Sequence, residues 1–227
     1  MSEDRPHYHG HRQRLRARLL EKGAESLADY EVVEFLLFGA RPRGDTKPLA
    51  KDLIGRFGSL AGVLAAEPDE LLAVPGMGEA GAAAFKIVAE SARRMAREEV
   101  MDRPVISSWD KVLAYCRIAI GREKTERFHL LFLDRKNRLI ADESQQRGTV
   151  DHTPVYPREV VKRALELNAS AIILVHNHPS GDPSPSRADI AMTREIVEAA
   201  GKLGVKVHDH IVISKSGHSS FKAMGLI

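Results

Sequence analysis

The sequence predicts two joined parts: a small all-α domain over residues 1–100 and an α/β (α+β) domain over 109–227, with 101–108 as linker. Three observations predict it. Up to about Glu99, apolar residues recur at helical spacing in short runs, several of them stopped by glycine. MDRPVISS at 101–108 has no such period and contains Pro104. Beyond it, strand-like runs alternate with helical ones, as in a sheet with packed helices. With 227 residues, 43% hydrophobic and 29% charged, the chain can form two modest cores and has an ordinary globular balance.

The elements follow in order. His11 to Lys22 carries Leu15, Leu19 and Leu20 and stops at Gly23; Asp29 to Phe38 carries Val32, Val33 and Phe35 to Leu37 and stops at Gly39. A helix from about Pro48 buries Leu49, Leu53, Ile54 and Phe57 before Gly58. Ser59 caps a short turn, and Pro68 opens another with Leu71 and Leu72 inward. After the PGMG turn at 75–78 a longer helix runs to about Glu99. In the second part Ser108 caps a helix through Val112, Leu113, Tyr115 and Ile118. Strands are expected at RFHLLFLD after Glu126, at RLIAD and near Gly148 to Val150, followed by a helix from Pro157. A buried strand, Ala171 to Val175, leads into a Gly/Pro/Ser loop, a long helix from about Ser186 to Leu203, and a last strand near His210 to Ser214.

Composition excludes several classes of function. No apolar run approaches the roughly 18 residues of a membrane span, and the N-terminus has no signal-like apolar segment. A single cysteine, Cys116, rules out a disulfide framework and zinc sites built on paired thiolates, the zinc deaminases included. These features predict a cytoplasmic protein with no membrane partner. The net charge of +3 is too small to imply nucleic-acid binding. Residues 1–102 hold 15 basic and 17 acidic residues, a net of −2; the remainder holds 19 and 14, a net of +5.

The chemistry is concentrated in HNHPSGDPSPSRAD, His176 to Asp189. In extended backbone, side chains at i and i+2 share a face, so His176 and His178 can reach one ion. Asp189 lies about one turn inside the next helix, where its carboxylate can point back at them. Two neutral imidazoles and a carboxylate suit zinc and leave a fourth position for water, the arrangement of a catalytic site. A structural reading competes: Ser186 and Asp189 have the spacing of a helix capping box, and Ser184 followed by Pro185 would cap the same helix without them.

His-x-His, seven residues, Ser, two residues, Asp resembles the JAMM (MPN-plus) metalloprotease motif. The flanking PVYPREVVKRAL and VHDHIVIS, with the helical N-terminal part and its PGMG turn, resemble the RadC-like family over most of the chain. The resemblance implies a JAMM/MPN-like zinc domain hydrolysing peptide or isopeptide bonds, with a link to DNA repair. His176, His178 and Asp189 would be the zinc ligands and Ser186 would steady the tetrahedral intermediate. Glu126, ahead of an apolar strand, would hold the attacking water, with Glu123, Glu143 and Glu159 as alternatives. His129 stands where the protease pattern has glycine, a change expected to narrow the groove for a peptide. Asp209 and His210 also match the family and would support the zinc site.

Two other histidine groups compete. His7, His9 and His11 (HYHGH) form a polar arm without a nearby carboxylate, and His208 stands at the edge of the last strand. VPGMGEAG resembles a helix-hairpin-helix turn, in which Gly76 and Gly78 would expose backbone N–H groups to a DNA phosphate; a tight turn between packed helices accounts for it equally well. The expected partner is a peptide or protein substrate, with DNA as a second partner through the helical domain. A DNA-binding accessory protein with a structural or inactive metal site is the alternative. A two-metal nuclease would need more converging carboxylates than Asp189 and one glutamate.

Overall fold

The computed structural model describes residues 10–101, 103–147 and 155–227. The strand expected near Gly148–Val150 and the arm residues His7 and His9 lie outside them. The chain divides into two compact units, Met1–Ser91 and Ala92–Ile227. No helix among the described residues is long and apolar enough to cross a membrane.

In the first unit, His11–Lys22 (α1), Asp29–Ala40 (α2), Lys47–Phe57 (α3), Leu60–Ala65 (α4), Pro68–Leu72 (α5) and the start of Glu79–Glu98 (α6) surround a core that includes Val33, Leu37, Leu53, Val63, Leu71 and Phe85. Gly23 and Gly58 end α1 and α3 with φ of 81°, a backbone region that costs glycine nothing. Ser59 caps α4, its Oγ accepting from the Gly62 N–H at 3.0 Å. Two details depart from the expected pattern. α2 runs through Gly39 and ends at Ala40, with Arg41 as its C-cap, where the following Pro42 disfavours helical backbone. Leu20 and Leu72 are exposed, so Leu15 and Leu71 carry the burial of their helices.

The second unit is a five-stranded mixed sheet with helices on both faces. Its strands are Arg127–Leu133 (β1), Leu139–Arg147 (β2), Ala171–Asn177 (β3), Lys206–Ile213 (β4) and His218–Ser220 (β5), in the order β2-β1-β3-β4-β5. β3 and β4 are parallel; the other neighbours are antiparallel. Alternation along each strand sorts side chains between two cores. Leu131, Leu133, Ile173 and Val175 pack with Trp109–Ile120 (α7), whereas Phe128, Leu130, Phe132, Ile172 and Leu174 pack with Pro157–Glu166 (α8) and Arg187–Lys202 (α9).

The unit boundary falls inside α6, ahead of the expected linker. Val100 and Val105 are buried in the α7-side core, and the Val105 N–H donates to Asn137 O at 2.8 Å. Residues 105–108 form a 3-10 turn in which Ser108 Oγ donates to Pro104 O instead of capping α7. β3 extends through His176 to Asn177, β4 begins at Lys206, and β5 is an additional strand.

Candidate metal centre

The site stands where β3 leaves the core. His176 is the sixth residue of a fully buried strand, and His178 follows the strand's end. The His178 N–H donates to Ile213 O at 2.8 Å, so the chain stays beside β4 for one more residue. Asn177, between the histidines, accepts from the Arg127 N–H at 2.8 Å and donates to Glu123 O and Thr125 O at 3.2 and 3.1 Å. Its amide thus clamps the segment that carries Glu126 against β3. Gly181, at φ 95°, then turns the loop toward α9.

Ser186 is the N-cap of α9, displacing Ser184 from the role open to it. Its Oγ accepts from the Asp189 N–H at 3.1 Å, and Asp189 Oδ2 accepts from the Ser186 N–H at 2.7 Å. The capping box is therefore real, and it holds the carboxylate at the histidines. His176 Nε2 lies 3.5 Å from Asp189 Oδ1, His178 Nε2 lies 3.5 Å from Oδ2, and the two Nε2 atoms are 2.9 Å apart. One ligand atom from each residue falls within 4.8 Å of the others. This donor set, two imidazoles and a carboxylate, fits a zinc-sized ion.

Electrostatics separate the members. Burial pushes the His176 pKa down to about 4. The Asp189 hydrogen bond holds His178 above the ordinary histidine value against the effect of burial, and the charge of Glu126 adds to the rise. Burial disfavours the Asp189 carboxylate, but His178, His176 and Ser186 together keep it well below the usual range.

A second layer surrounds His176. Its Nδ1 lies 2.7 Å from His210 Nε2, His210 Nδ1 lies 2.6 Å from Thr193 Oγ1, and Thr193 Oγ1 donates to Asp189 O at 2.6 Å. Phe128 stacks on His176, with ring centroids 6.0 Å apart. His210 thus touches the cluster. Asp209 bonds to the backbone of His210, its Oδ1 accepting from the His210 N–H at 2.8 Å, and its carboxylate also accepts from Ser220 Oγ and the Lys222 N–H, tying down the C-terminal turn.

The other residues singled out are placed as follows. Glu126 precedes β1, two residues before Phe128 and hence in register with the His176 side of the strand. Glu123, Glu143 and Glu159 are ion-paired with Arg127, Arg163 and Arg158. His129 points to the α7 side, with Nδ1 3.0 Å from Asp142 Oδ1, so it does not narrow a groove on the His176 side. His208 Nε2 meets Asn137 Oδ1 at 2.6 Å. His11 does have a carboxylate partner, the buried Glu34, at 3.0 Å. In the helical unit Gly76 takes φ 85°, and its turn is closed by Met77 N–H donating to Val74 O and by Arg41 donating to Gly76 O; Gly78 O accepts from the Gly81 and Ala82 N–H groups at the start of α6.

Asn177 and Thr193 escaped the sequence reading. Asn177 is a polar residue ending an otherwise apolar strand, and Thr193 falls one turn after Asp189 on the core-facing side of α9, with Ile196 and Ala200. Those positions were the available signals.

Comparison with protein families agrees with the two-part architecture. Residues 106–226 match the RadC-like JAB domain, and residues 9–83 match the UPF0758 N-terminal family. The first match spans more than half of the chain and includes every residue of the His176–His178–Asp189 cluster. By that match, the chain belongs to the RadC-like JAB-domain family.

Proposed function

We propose that this protein is a zinc-dependent amide hydrolase of the metallopeptidase or isopeptidase type, acting in the cytoplasm on a peptide or protein. The observation that carries the reading is the convergence of His176 Nε2, His178 Nε2 and an Asp189 oxygen within 4.8 Å, with Glu126 close enough to influence His178. Zinc held by His176, His178 and Asp189 would supply Lewis acidity toward a carbonyl oxygen and would lower the pKa of a bound water to about 7.

The chain's own groups carry the protons. Glu126 accepts one from the attacking water as the C–O bond forms, then returns it to the leaving nitrogen as the C–N bond breaks. Ser186 donates its hydroxyl proton in a hydrogen bond to the developing oxyanion. That proton is available because Oγ acts as acceptor in the helix cap. Asn177 holds the Glu126 segment in reach. The Gly76–Gly78 turn of the helical unit is the part proposed to meet DNA, in an association that weakens as salt rises.

The test is metal content of the purified protein together with capture of partners by Glu126→Gln. About one zinc per chain is expected, retained in Glu126→Gln, while amide turnover falls roughly 100-fold or more. Partners held by the variant should be released cleaved by the wild type. A protein without stoichiometric metal, or a fully active Glu126→Gln, overturns the reading.

A further inference from the structure

Hydrogen-bond direction around His176 can be deduced from both ends of one buried chain of contacts. At the far end stands the backbone carbonyl of Asp189, which can only accept. The 2.6 Å contact from Thr193 Oγ1 must therefore hold the threonine's proton. With that proton spent, Oγ1 meets His210 Nδ1, also at 2.6 Å, as an acceptor, so His210 carries its proton on Nδ1. A neutral imidazole has one N–H, which leaves His210 Nε2 as a lone pair facing His176 Nδ1 at 2.7 Å. His176 must then be protonated at Nδ1, and its Nε2 presents a lone pair to His178 and Asp189.

Reasoning from the near end gives the same assignment. A metal-ligating histidine is neutral and binds through its unprotonated nitrogen. If that nitrogen is Nε2, the His176 proton is on Nδ1 and each later step follows. Reversing every proton would put Thr193 Oγ1 and Asp189 O in contact at 2.6 Å with no hydrogen between them. His176, Thr193 and His210 are all fully buried, so water cannot repair a broken step. His178 is set independently: its Nδ1 lies 2.8 Å from Asp182 O, another pure acceptor, so it carries a proton there, and in the neutral, metal-binding ring Nε2 is the lone pair.

We infer that Thr193 and His210 are positioning residues that select the metal-binding tautomer of His176. Resting on the zinc reading of the site, the inference adds that the site's affinity is set in part by a hydroxyl that touches no ligand side chain. Metal-ligating histidines commonly have such an outer partner, and its loss typically costs 10- to 100-fold in affinity. Here the partner is itself a histidine, whose own tautomer has to be chosen, and Thr193 makes the choice. Without the hydroxyl, His210 can take the Nε2–H form, whose proton faces His176 Nδ1 and drives the His176 proton onto the nitrogen needed for metal.

Two measurements test this on the full chain. In the metal-free wild type, long-range nitrogen–proton NMR correlations of the neutral rings should show both His176 and His210 protonated at Nδ1. Competition with a chelator should then show zinc bound roughly 10- to 100-fold more weakly by Thr193→Val, with Thr193→Ser restoring wild-type affinity. A hydroxyl that only packs would alter thermal stability and leave ring protonation unchanged. Finding His176 protonated at Nε2 in the wild type, or unchanged zinc affinity in Thr193→Val, overturns the relay. A wild type that binds no zinc overturns the metal reading instead, while the tautomer measurement still judges the relay.

Discussion

Two buried polar clusters lie on opposite faces of β1, and they spend their hydrogen-bonding groups differently. On one face Phe128 stacks on His176 and meets His210 edge-on. On the other, His129 reaches Asp142, which also accepts from the Tyr115 hydroxyl. Both clusters combine imidazole, carboxylate and hydroxyl groups at partly buried positions. At Asp142 the donors point at the carboxylate and satisfy it. At Asp189 the carboxylate is bonded to the backbone at the start of its own helix, and the Nε2 atoms of His176 and His178 each stand 3.5 Å from one of its oxygens. Two clusters of like composition thus hold their carboxylates differently, one by side-chain donors and the other by a backbone N–H.

The largest expected effect breaks one cluster and spares the other. His178→Ala removes one of the three proposed ligands, so zinc affinity should fall by more than the roughly 100-fold typical of losing an outer partner. His129→Ala should leave zinc stoichiometry unchanged while lowering stability, because it leaves Asp142 buried with one donor fewer. Metal analysis and thermal unfolding of both variants check the pair. Metal lost equally from both would mean that the two faces do not work separately.

Ser186→Ala should have a smaller, divided effect. The hydroxyl caps α9 and is proposed to donate to the oxyanion, so its loss should cost about 1 kcal/mol of stability and roughly 10- to 1000-fold in amide turnover. Zinc should remain, because Asp189 Oδ2 still accepts from the backbone N–H of residue 186. Loss of stability with full turnover would reduce Ser186 to a cap.

Legibility in the sequence follows how local each cause is. Most helices of the first unit were readable because apolar spacing and glycine stops are local. The end of α2 was misread because Gly39 looked like the stop, whereas Pro42 supplies it. Residues 101–108 read as a linker because Val100 and Val105 are isolated apolar residues whose burial depends on distant partners. β4 began earlier than expected because Lys206 and His208 interrupt the apolar pattern there. At the site, the strand period places the two histidines and the helix start places Asp189, so the triangle was visible. The capping box and the His176–His178–Asp189 cluster are one arrangement, although their sequence signals read as competitors. Asn177 and Thr193 act on residues far along the chain, on Thr125 and His210, and spacing cannot announce such contacts.

The smallest expected effect tests whether the closed cluster serves stability alone. Burial disfavours the Asp142 carboxylate, but His129 and then Tyr115 outweigh it and hold its pKa below the ordinary 3.8. A carboxylate with a depressed folded-state pKa contributes stability that is present above its unfolded value and lost as pH falls through the folded one. Tyr115→Phe removes one hydrogen bond to that charge and should cost about 1.5–3 kcal/mol near neutral pH. The difference from wild type should shrink below pH 3.8, as Asp142 becomes protonated in both proteins. Denaturant unfolding at a series of pH values reads the difference directly. Zinc affinity, measured on the same samples, should not change, because no atom of Tyr115 bonds to the relay between Thr193 and His176. A stability gap that persists through acid would show that the Tyr115 hydroxyl acts through packing and not through the Asp142 charge. A fall in zinc affinity comparable to that expected for Thr193→Val would show that the two faces of β1 are coupled through the strand.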